Sequence, residues 1–390
     1  MSFARRIAHL RPEGAYAVLA RAQALEAQGR EIVHLEIGQP DFETYSHVAL
    51  AGIRAIATGQ TRYNPPSGLP ALRKALAEDA SRRRGVEFRP EEVVIAPGTK
   101  PLLFLPLLAL LEPGDEVLYP DPGFPSYGAA IGLVGAMPVP VPLVAERGFD
   151  LDVEALEECL SPRTRLIILN SPGNPTGGVL SARSLDRVAQ VARERDLWVL
   201  SDEIYARLVY DGDAPSIVAL PGMRERTILA DGFSKTYAMT GWRLGFGLMP
   251  QALAERLDLL LTHSVGCTAT FTQYAGLEAI LGPQDAVDAV AAEFRERRDV
   301  MVNGLNEIPG VLCPMPQGAF YAFPDIGAFG RPAAEVADYL LQEAGVAVLP
   351  GTAFGRHGEG HLRLSYANSM ANIRRALERM GEALSALPRS

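Results

Sequence analysis

The sequence contains few cysteines, and its lysines and arginines together are fewer than its acidic residues. Its 390 residues include three cysteines, Cys159, Cys267 and Cys313, none of them in a C-x-x-C pair. Neither a disulfide framework nor a zinc site is therefore indicated, and no metal is expected. The formal net charge of -9 argues against a nucleic-acid partner, because binding a polyanion requires a basic face.

Long hydrophobic runs are also absent. The longest apolar stretch covers residues 101–111, which is shorter than the roughly 20 residues that span a bilayer. Arg5 and Arg6 near the N-terminus are not followed by the apolar segment of a secretion signal. We therefore expect no membrane partner and no export, and the reducing cytoplasm is the expected location.

The residues that are present indicate an α/β fold. Hydrophobic residues make up 48% of the chain, and continuous apolar runs alternate with helical stretches such as 181–195. This rhythm predicts βαβ units and a mostly parallel sheet covered on both faces. The predicted strands are 93–96, 116–119, 166–169, 197–200, 227–230 and 244–248.

The pattern changes after residue 284. A long charged helix through Arg298 is followed by three short predicted strands and a final helix from Asn372. The N-terminal segment has too little apolar surface to fold alone and is expected to pack with this part. We therefore predict a small α+β domain from residues 1–41 and 284–390, and a large domain from residues 42–283. The three short strands are expected at 318–323, 346–349 and 361–365.

Polar residues follow several of the predicted strands. Asn170 and Asp202 follow two of the runs, and Lys235 lies shortly after a third. Gly98 and Thr99 separate a strand from a helix, where free backbone N–H groups suit a phosphate. Each of these features alone is typical of a turn or a helix cap. Together they place an amide, a carboxylate, an amine and an anion site at the carboxyl edge of a sheet, where ligands bind.

Four segments resemble the fold-type I aminotransferases of class I and II. They are SPGNPTG at 171–177, SDEIY at 201–205, SK at 234–235 with AMTGWR at 238–243, and HLRLSYA at 361–367. LEIGQPDF, TRYNPPSGLPALR and QGAFYAF also occur in the family order, so the resemblance covers nearly the whole chain. It implies an enzyme that uses pyridoxal 5′-phosphate (PLP) to move an amino group between an L-amino acid and a 2-oxo acid by ping-pong chemistry. It also implies a large PLP-binding domain and a smaller domain built from both chain ends.

The resemblance assigns the catalytic roles. Lys235 would carry PLP as an imine and shuttle a proton, as suits a lysine in a partly desolvated, electropositive site. Asp202 would keep the pyridine nitrogen protonated. Tyr205 and Asn174 would bind the phenolic oxygen of the cofactor, and Phe124 would stack on its ring.

The remaining implied contacts concern two anions. The substrate α-carboxylate would be held by Arg363, assisted by Gly38 and Asn174. Because one phosphate contact comes from the neighbouring subunit in the family, a homodimer with shared active sites is expected. The residues implied at the phosphate are Gly98, Thr99, Lys100, Ser234, Arg243 and, from that neighbouring subunit, Tyr63.

Three questions stay open on the sequence. A carbon–sulfur lyase of the same fold would use the same lysine. A non-catalytic ligand-sensing domain is disfavoured by the acidic charge and by the lack of residues for a helix-turn-helix. These motifs do not indicate which amino donor and acceptor the enzyme uses. One hypothesis is that Lys100, close to the phosphate loop, pairs with an acidic substrate side chain, which would favour aspartate or glutamate.

Overall fold

An eight-stranded sheet forms the centre of the chain. The computed structural model describes residues 3–7, 10, 12–212 and 214–387. Its strands are β1 (Val33–His34), β2 (Val93–Ala96), β3 (Glu116–Asp121), β4 (Met137–Val144), β5 (Asp150–Leu151), β6 (Thr164–Asn170), β7 (Trp198–Asp202), β8 (Thr227–Gly232), β9 (Gly245–Leu248), β10 (Tyr321–Ala322), β11 (Val346–Ala347), β12 (Leu349–Pro350) and β13 (Leu362–Ser365). The strand order in the eight-stranded sheet is β2-β9-β8-β7-β6-β3-β4-β5.

Helices cover both faces of this sheet. The helices of the described residues, including those that pack elsewhere, are α1 (Gly14–Glu26), α2 (Ser46–Ala57), α3 (Pro70–Arg84), α4 (Lys100–Leu110), α5 (Ser126–Leu133), α6 (Val153–Glu158), α7 (Ala182–Glu194), α8 (Phe233–Thr236), α9 (Gln251–Ser264), α10 (Thr270–Leu281), α11 (Asp285–Asn306), α12 (Ala333–Tyr339), which a π-helical turn over Leu340–Ala344 continues, and α13 (Met370–Ala386). Short 3-10 turns cover Arg5–Ile7, Pro90–Glu92, Ala145–Arg147, Ile217–Ala219, Arg224–Arg226, Gly327–Phe329, Gly351–Phe354 and Arg356–Gly358. No helix in the described ranges is long and apolar enough to cross a membrane.

The predicted α/β class and mostly parallel sheet are confirmed. Strands β3, β4, β6, β7 and β8 pair in parallel, whereas β9 is antiparallel to both β2 and β8. Continuous apolar runs form these strands because helices cover them on both faces. Several strands continue past their apolar run: β6 ends at Asn170 and β7 at Asp202, because backbone pairing continues through these polar residues.

Helix ends follow local capping. Helix α7 begins after Ser181, whose side chain accepts a hydrogen bond from the Ser184 N–H, close to the prediction. Helix α11 continues eight residues past the predicted Arg298 to Asn306, because Met301, Val302 and Leu305 bury against the core. Helix α13 begins two residues before the predicted Asn372.

The two chain ends pack together. Strand β1 pairs in parallel with β11, and β10, β13 and β12 form a three-stranded sheet. The predicted strand 346–349 is two strands, because β11 pairs with β1 whereas β12 pairs with β13. The predicted strands at 318–323 and 361–365 are also shorter, at two and four residues. A small domain built from both ends is consistent with this pairing, and its boundaries at residues 41 and 284 stay a prediction.

Candidate active site

Polar side chains converge at the carboxyl ends of β6, β7 and β8. Asn170 is the register partner of Asp202, and Asp202 is the partner of Ala230 in the next strand. The Asn170 side chain donates to the Asp202 carbonyl oxygen at 3.0 Å and accepts from the Asn174 N–H at 2.9 Å. The loop that carries Asn174 is thereby fixed beside Asp202, as the strand ends predict.

Asp202 is a buried carboxylate that accepts two hydrogen bonds. It is 4% exposed, and its oxygens accept from the Tyr127 hydroxyl at 2.8 Å and the Ile204 N–H at 3.2 Å. Burial raises the pKa of Asp202 to about 6, although both hydrogen bonds act to lower it. A cation beside this carboxylate would stabilise its ionised form. Sequence reasoning missed Tyr127, which lies one helical turn after Phe124 and contacts its ring edge-on at 5.7 Å.

Lys235 lies in the short helix α8, just after β8. Its Nζ donates to the Gly38 carbonyl oxygen at 2.6 Å and lies 5.6 Å from the centre of the Phe320 ring. Burial, followed by the positive charges of Arg363 and Arg243, lowers the pKa of Lys235 to about 8. A much larger fraction of this amine is therefore neutral near pH 7 than for an exposed lysine, as nucleophilic attack on an aldehyde requires.

A glycine-lined cradle lies between β2 and α4. Gly98 has φ +84, and a Cβ atom there would lie 2.2 Å from Nη2 of Arg243, so only glycine allows this approach. A Cβ at Gly232 would lie 2.5 Å from Oγ1 of Thr99. Any side chain at position 232 would therefore crowd Thr99. Backbone N–H groups at the start of α4 and the Arg243 guanidinium together suit a phosphate.

Arg363 is 4% exposed and is held between two rings. Its guanidinium carbon lies 4.7 Å from the centre of the Tyr321 ring and 5.1 Å from that of Phe354. Nη2 donates to the Glu36 carbonyl oxygen, and Nη1 reaches Oδ1 of Asn174 at 3.5 Å. Nε is buried with no hydrogen-bond partner in the described ranges. The end of the guanidinium that carries Nη1 and Nη2 is able to bind an anion, because Nη1 makes only a long contact there.

Tyr205 faces the same space. Its hydroxyl lies 2.7 Å from the Tyr321 hydroxyl, and burial raises the pKa of Tyr205 well above its ordinary value. Both tyrosines are therefore neutral hydrogen-bonding groups near pH 7. Tyr321 was not predicted as a site residue, although it lies within the QGAFYAF segment.

Two predicted residues lie apart from this cluster. The side chain of Tyr63 is 98% exposed, so within one chain it contacts no other site residue. Lys100 Nζ forms an ion pair with Glu13 and lies 5.4 Å from the centre of the Phe124 ring. The Glu13 carboxylate also accepts a hydrogen bond from the Ser126 hydroxyl at 3.2 Å. Pairing of Lys100 with an acidic substrate side chain would have to displace Glu13, and it stays a hypothesis.

These residues fit PLP. The amine of Lys235 suits an aldehyde, the buried carboxylate of Asp202 suits a pyridinium nitrogen, and the Gly98 cradle with Arg243 suits a phosphate. Lys235, Asp202, Gly98, Thr99 and Arg243 are the residues that would hold the cofactor, because their chemistry matches its aldehyde, ring nitrogen and phosphate.

Comparison with known proteins identifies the family. The family profile described as "Aminotransferase class I and II" matches residues 30–380. The chain belongs to the class I and II aminotransferases. It is 39% identical to the "Probable aspartate/prephenate aminotransferase" of Aquifex aeolicus over 98% of both chains. It is 41% identical to the "Aromatic-amino-acid aminotransferase 2" of Thermococcus litoralis over 92% of this chain and 93% of that one.

Solved structures support the same family assignment. The aspartate aminotransferase of Rhizobium meliloti superposes with a TM-score of 0.95 at 37% identity, covering 99% of this chain and 100% of that one. This aminotransferase is therefore an enzyme of the fold-type I class that uses PLP, and its substrates are amino acids and oxo acids. The predicted fold, activity and cofactor are confirmed. The assignment of individual site residues stays a prediction.

Proposed function

We propose that this aminotransferase transfers the amino group of an L-amino acid to a 2-oxo acid by ping-pong chemistry, with PLP joined to Lys235. The observation that carries the proposal is the Lys235 amine, whose pKa is lowered to about 8 by burial and by the charges of Arg363 and Arg243. When bound, PLP supplies an electron sink that stabilises negative charge at the substrate Cα. The relatives named above are called aspartate and aromatic aminotransferases, so these amino acids are the first donors to assay.

Lys235 is the proposed base of the reaction. Its neutral Nζ would take the proton from the substrate Cα and deliver it to the C4′ carbon of PLP, and it would carry a proton the opposite way in the second half of the reaction, because a base with a pKa near the working pH serves in both directions. The Gly38 carbonyl oxygen, 2.6 Å from Nζ, orients the amine. Tyr205 and Asn174 are the proposed ligands of the phenolic oxygen, and Phe124 is the proposed ring that covers the cofactor.

Asp202 is the proposed partner of the pyridine nitrogen. The Tyr127 hydroxyl and the Ile204 N–H fix the orientation of its carboxylate. A buried negative charge at this place holds the ring nitrogen protonated, because an opposite charge stabilises the charged form of its neighbour. The proposed phosphate ligands are Gly98, Thr99, Lys100, Ser234 and Arg243.

Arg363 is the proposed ligand of the substrate α-carboxylate, with the Gly38 backbone and the Asn174 side chain beside it. Two features support this role: the long 3.5 Å contact from Nη1 to Asn174, and the single acceptor of Nη2, which leaves that nitrogen a second N–H group. A planar guanidinium binds a carboxylate through two parallel hydrogen bonds. Every amino acid and 2-oxo acid carries this carboxylate, so Arg363 would serve both halves of the reaction.

A homodimer with shared sites is proposed on the exposed apolar residues near Tyr63. Leu50 and Ile53 lie on one face of α2 and are 59% and 61% exposed, and Tyr63 follows a few residues later. Exposed apolar side chains that are grouped in this way mark interaction surfaces. Tyr63 would then reach the phosphate of the neighbouring subunit. The cytoplasm is the proposed location, supported by the three unpaired thiols.

Borohydride trapping tests the role of Lys235. The chain has only three lysines, Lys74, Lys100 and Lys235, so peptide mapping of the adduct formed by PLP is unambiguous. We expect the adduct on Lys235, and its rate of formation by apoprotein should rise with pH through about 8 and level off above it, as the amine loses its proton. Lys235→Ala should fold, form no adduct and lose transaminase activity.

The matched control is Lys74→Ala, which removes an exposed lysine on α3. It should keep both the adduct and the activity. Trapping of PLP on Lys74 or Lys100 in the unaltered protein, or appreciable turnover by Lys235→Ala, would contradict the proposal.

A further inference from the structure

Behind Arg363 lies a buried carboxylate that the reaction described so far does not use. Glu36 has no exposed surface. Its Oε1 lies 2.8 Å from Nδ1 of His34, whereas its Oε2 is buried without a hydrogen-bond partner in the described ranges. A buried charge is costly to the fold unless other charges or hydrogen bonds stabilise it. This position therefore calls for a nearby positive charge.

His34, when protonated, is one such charge, and Arg363 is another. Its Nη2 donates to the backbone oxygen of Glu36, so the two residues are in contact. Burial lowers the pKa of Arg363, and the charge of the Glu36 carboxylate acts in the opposite direction, although the two side chains form no hydrogen bond. The other charged side chains that act on this pair are Glu13 on Arg363 and the amine of Lys235.

His34 connects Glu36 to the surface. Its second ring nitrogen, Nε2, lies 3.0 Å from a carboxylate oxygen of Glu26 at the end of α1. Strand β11 presents Val346 and Ala347 beside His34, and Asn368 donates to the His34 carbonyl oxygen. The ionisable groups in contact with the imidazole are thus Glu26 and Glu36.

We propose that Glu36, held by His34, is a built-in counter-ion of Arg363 that weakens substrate carboxylate binding until His34 is protonated. The proposal rests on the proposed role of Arg363 as the α-carboxylate ligand. Glu36 and the substrate carboxylate compete electrostatically for one guanidinium. An imidazolium beside Glu36 offsets its charge and leaves Arg363 more attractive to the substrate. Glu36 and His34 are positioning residues, since neither contacts the substrate.

The direction of the pH effect follows from His34. Burial lowers its pKa, but the hydrogen bonds and charges of Glu36 and Glu26 outweigh burial, so the pKa of His34 lies above its ordinary value. The imidazolium is present below this pKa and is lost as the pH rises through it. Carboxylate affinity should therefore rise as the pH falls through the same range.

The test measures binding of 3-phenylpropionate, a carboxylate that cannot be transaminated, to the PLP-loaded enzyme by calorimetry. At about pH 9, where His34 is neutral, Glu36→Gln should bind it about fivefold or more tightly than the unaltered enzyme, a typical coupling between two charged sites. At about pH 6 the difference should shrink towards none. Glu31→Gln is the matched control, because it removes the same charge from a side chain that is 61% exposed, and it should change neither value.

His34→Gln tests the link independently of Glu36→Gln, including the case in which that variant does not fold. It keeps a donor for Oε1 but cannot become charged, so it should bind the probe less tightly than the unaltered enzyme at about pH 6 and equally at about pH 9. Unchanged or weaker binding by Glu36→Gln at about pH 9, or an unchanged pH dependence in His34→Gln, would overturn the proposal. Arg363→Lys distinguishes a failure of this proposal from a failure of the proposed role of Arg363. If Arg363→Lys leaves probe binding unchanged, Arg363 is not the ligand of the carboxylate.

Discussion

Replacing Arg363 with alanine should reduce transamination of every amino donor by the same factor. The structure leaves one N–H group on each terminal nitrogen of Arg363 for a carboxylate, because Nη1 makes only a long contact with Asn174 and Nη2 has one acceptor, the Glu36 carbonyl oxygen. A hydrogen bond to a charged group contributes about 1.5–3 kcal/mol, so two of them contribute about 3–6 kcal/mol. At about 1.4 kcal/mol for each factor of ten, kcat/KM should fall by roughly 10²- to 10⁴-fold.

Arg363→Lys should cause a smaller loss of kcat/KM than Arg363→Ala. Lysine keeps the positive charge beside Glu36 but cannot offer two parallel donors, so about half of that free energy should be lost and kcat/KM should fall by roughly 10- to 10²-fold. The assay compares kcat/KM for aspartate, alanine and phenylalanine with one common 2-oxo acid. Thermal melting of each variant controls for stability, because Arg363→Ala removes a positive charge from beside the buried Glu36 carboxylate.

Equality between donors is the decisive result, because the α-carboxylate is the group that all of them share. A loss of kcat/KM confined to one donor would refute the reasoning and show that Arg363 binds the side chain of that donor instead. A uniform loss that appears in kcat alone, with the KM of donor and acceptor unchanged, would also refute it, since removal of a ligand should weaken binding of both.

Two further predictions concern the cofactor and the assembly. Asp202→Asn keeps the shape but removes the charge; since an opposite charge shifts a pKa by about 1–3 units, kcat should fall by roughly 10- to 10³-fold while binding of 3-phenylpropionate to the PLP-loaded variant stays unchanged. Retention of full kcat would exclude Asp202 as the partner of the ring nitrogen. Sedimentation should show a dimer that Ile53→Asp weakens, because a charge on this exposed apolar face of α2 would be buried between subunits. A monomer, or an unaffected dimer, would rule out this face as the interface.

The Lys100–Glu13 ion pair bears on donor choice. Lys100 is 54% exposed in its side chain, and Glu13 already neutralises its charge. An ion pair at such exposure contributes little free energy, so a substrate carboxylate could replace Glu13 at small cost. The structure thus makes Glu13, on the N-terminal segment, a competitor for the one lysine that sequence reasoning associated with acidic substrates.

The sequence by itself determined the sheet and the main chemistry of the site. Continuous apolar runs located β2, β6, β7 and β8, because strands covered on both faces carry no polar alternation. The residues that follow such strands are local features, so Asn170, Asp202 and Lys235 could be placed at one edge before any contact was known.

Only the tertiary structure decided which distant side chains meet. Tyr127 reaches Asp202 from 75 residues away, and Arg363 contacts Glu36 across 327 residues. Local periodicity carries no information about such pairs, since it records which face of an element is apolar and not what packs there. The split of 346–349 into β11 and β12 has the same cause: strand partners are set by the packing of the whole chain, whereas a short apolar run reads the same for either partner.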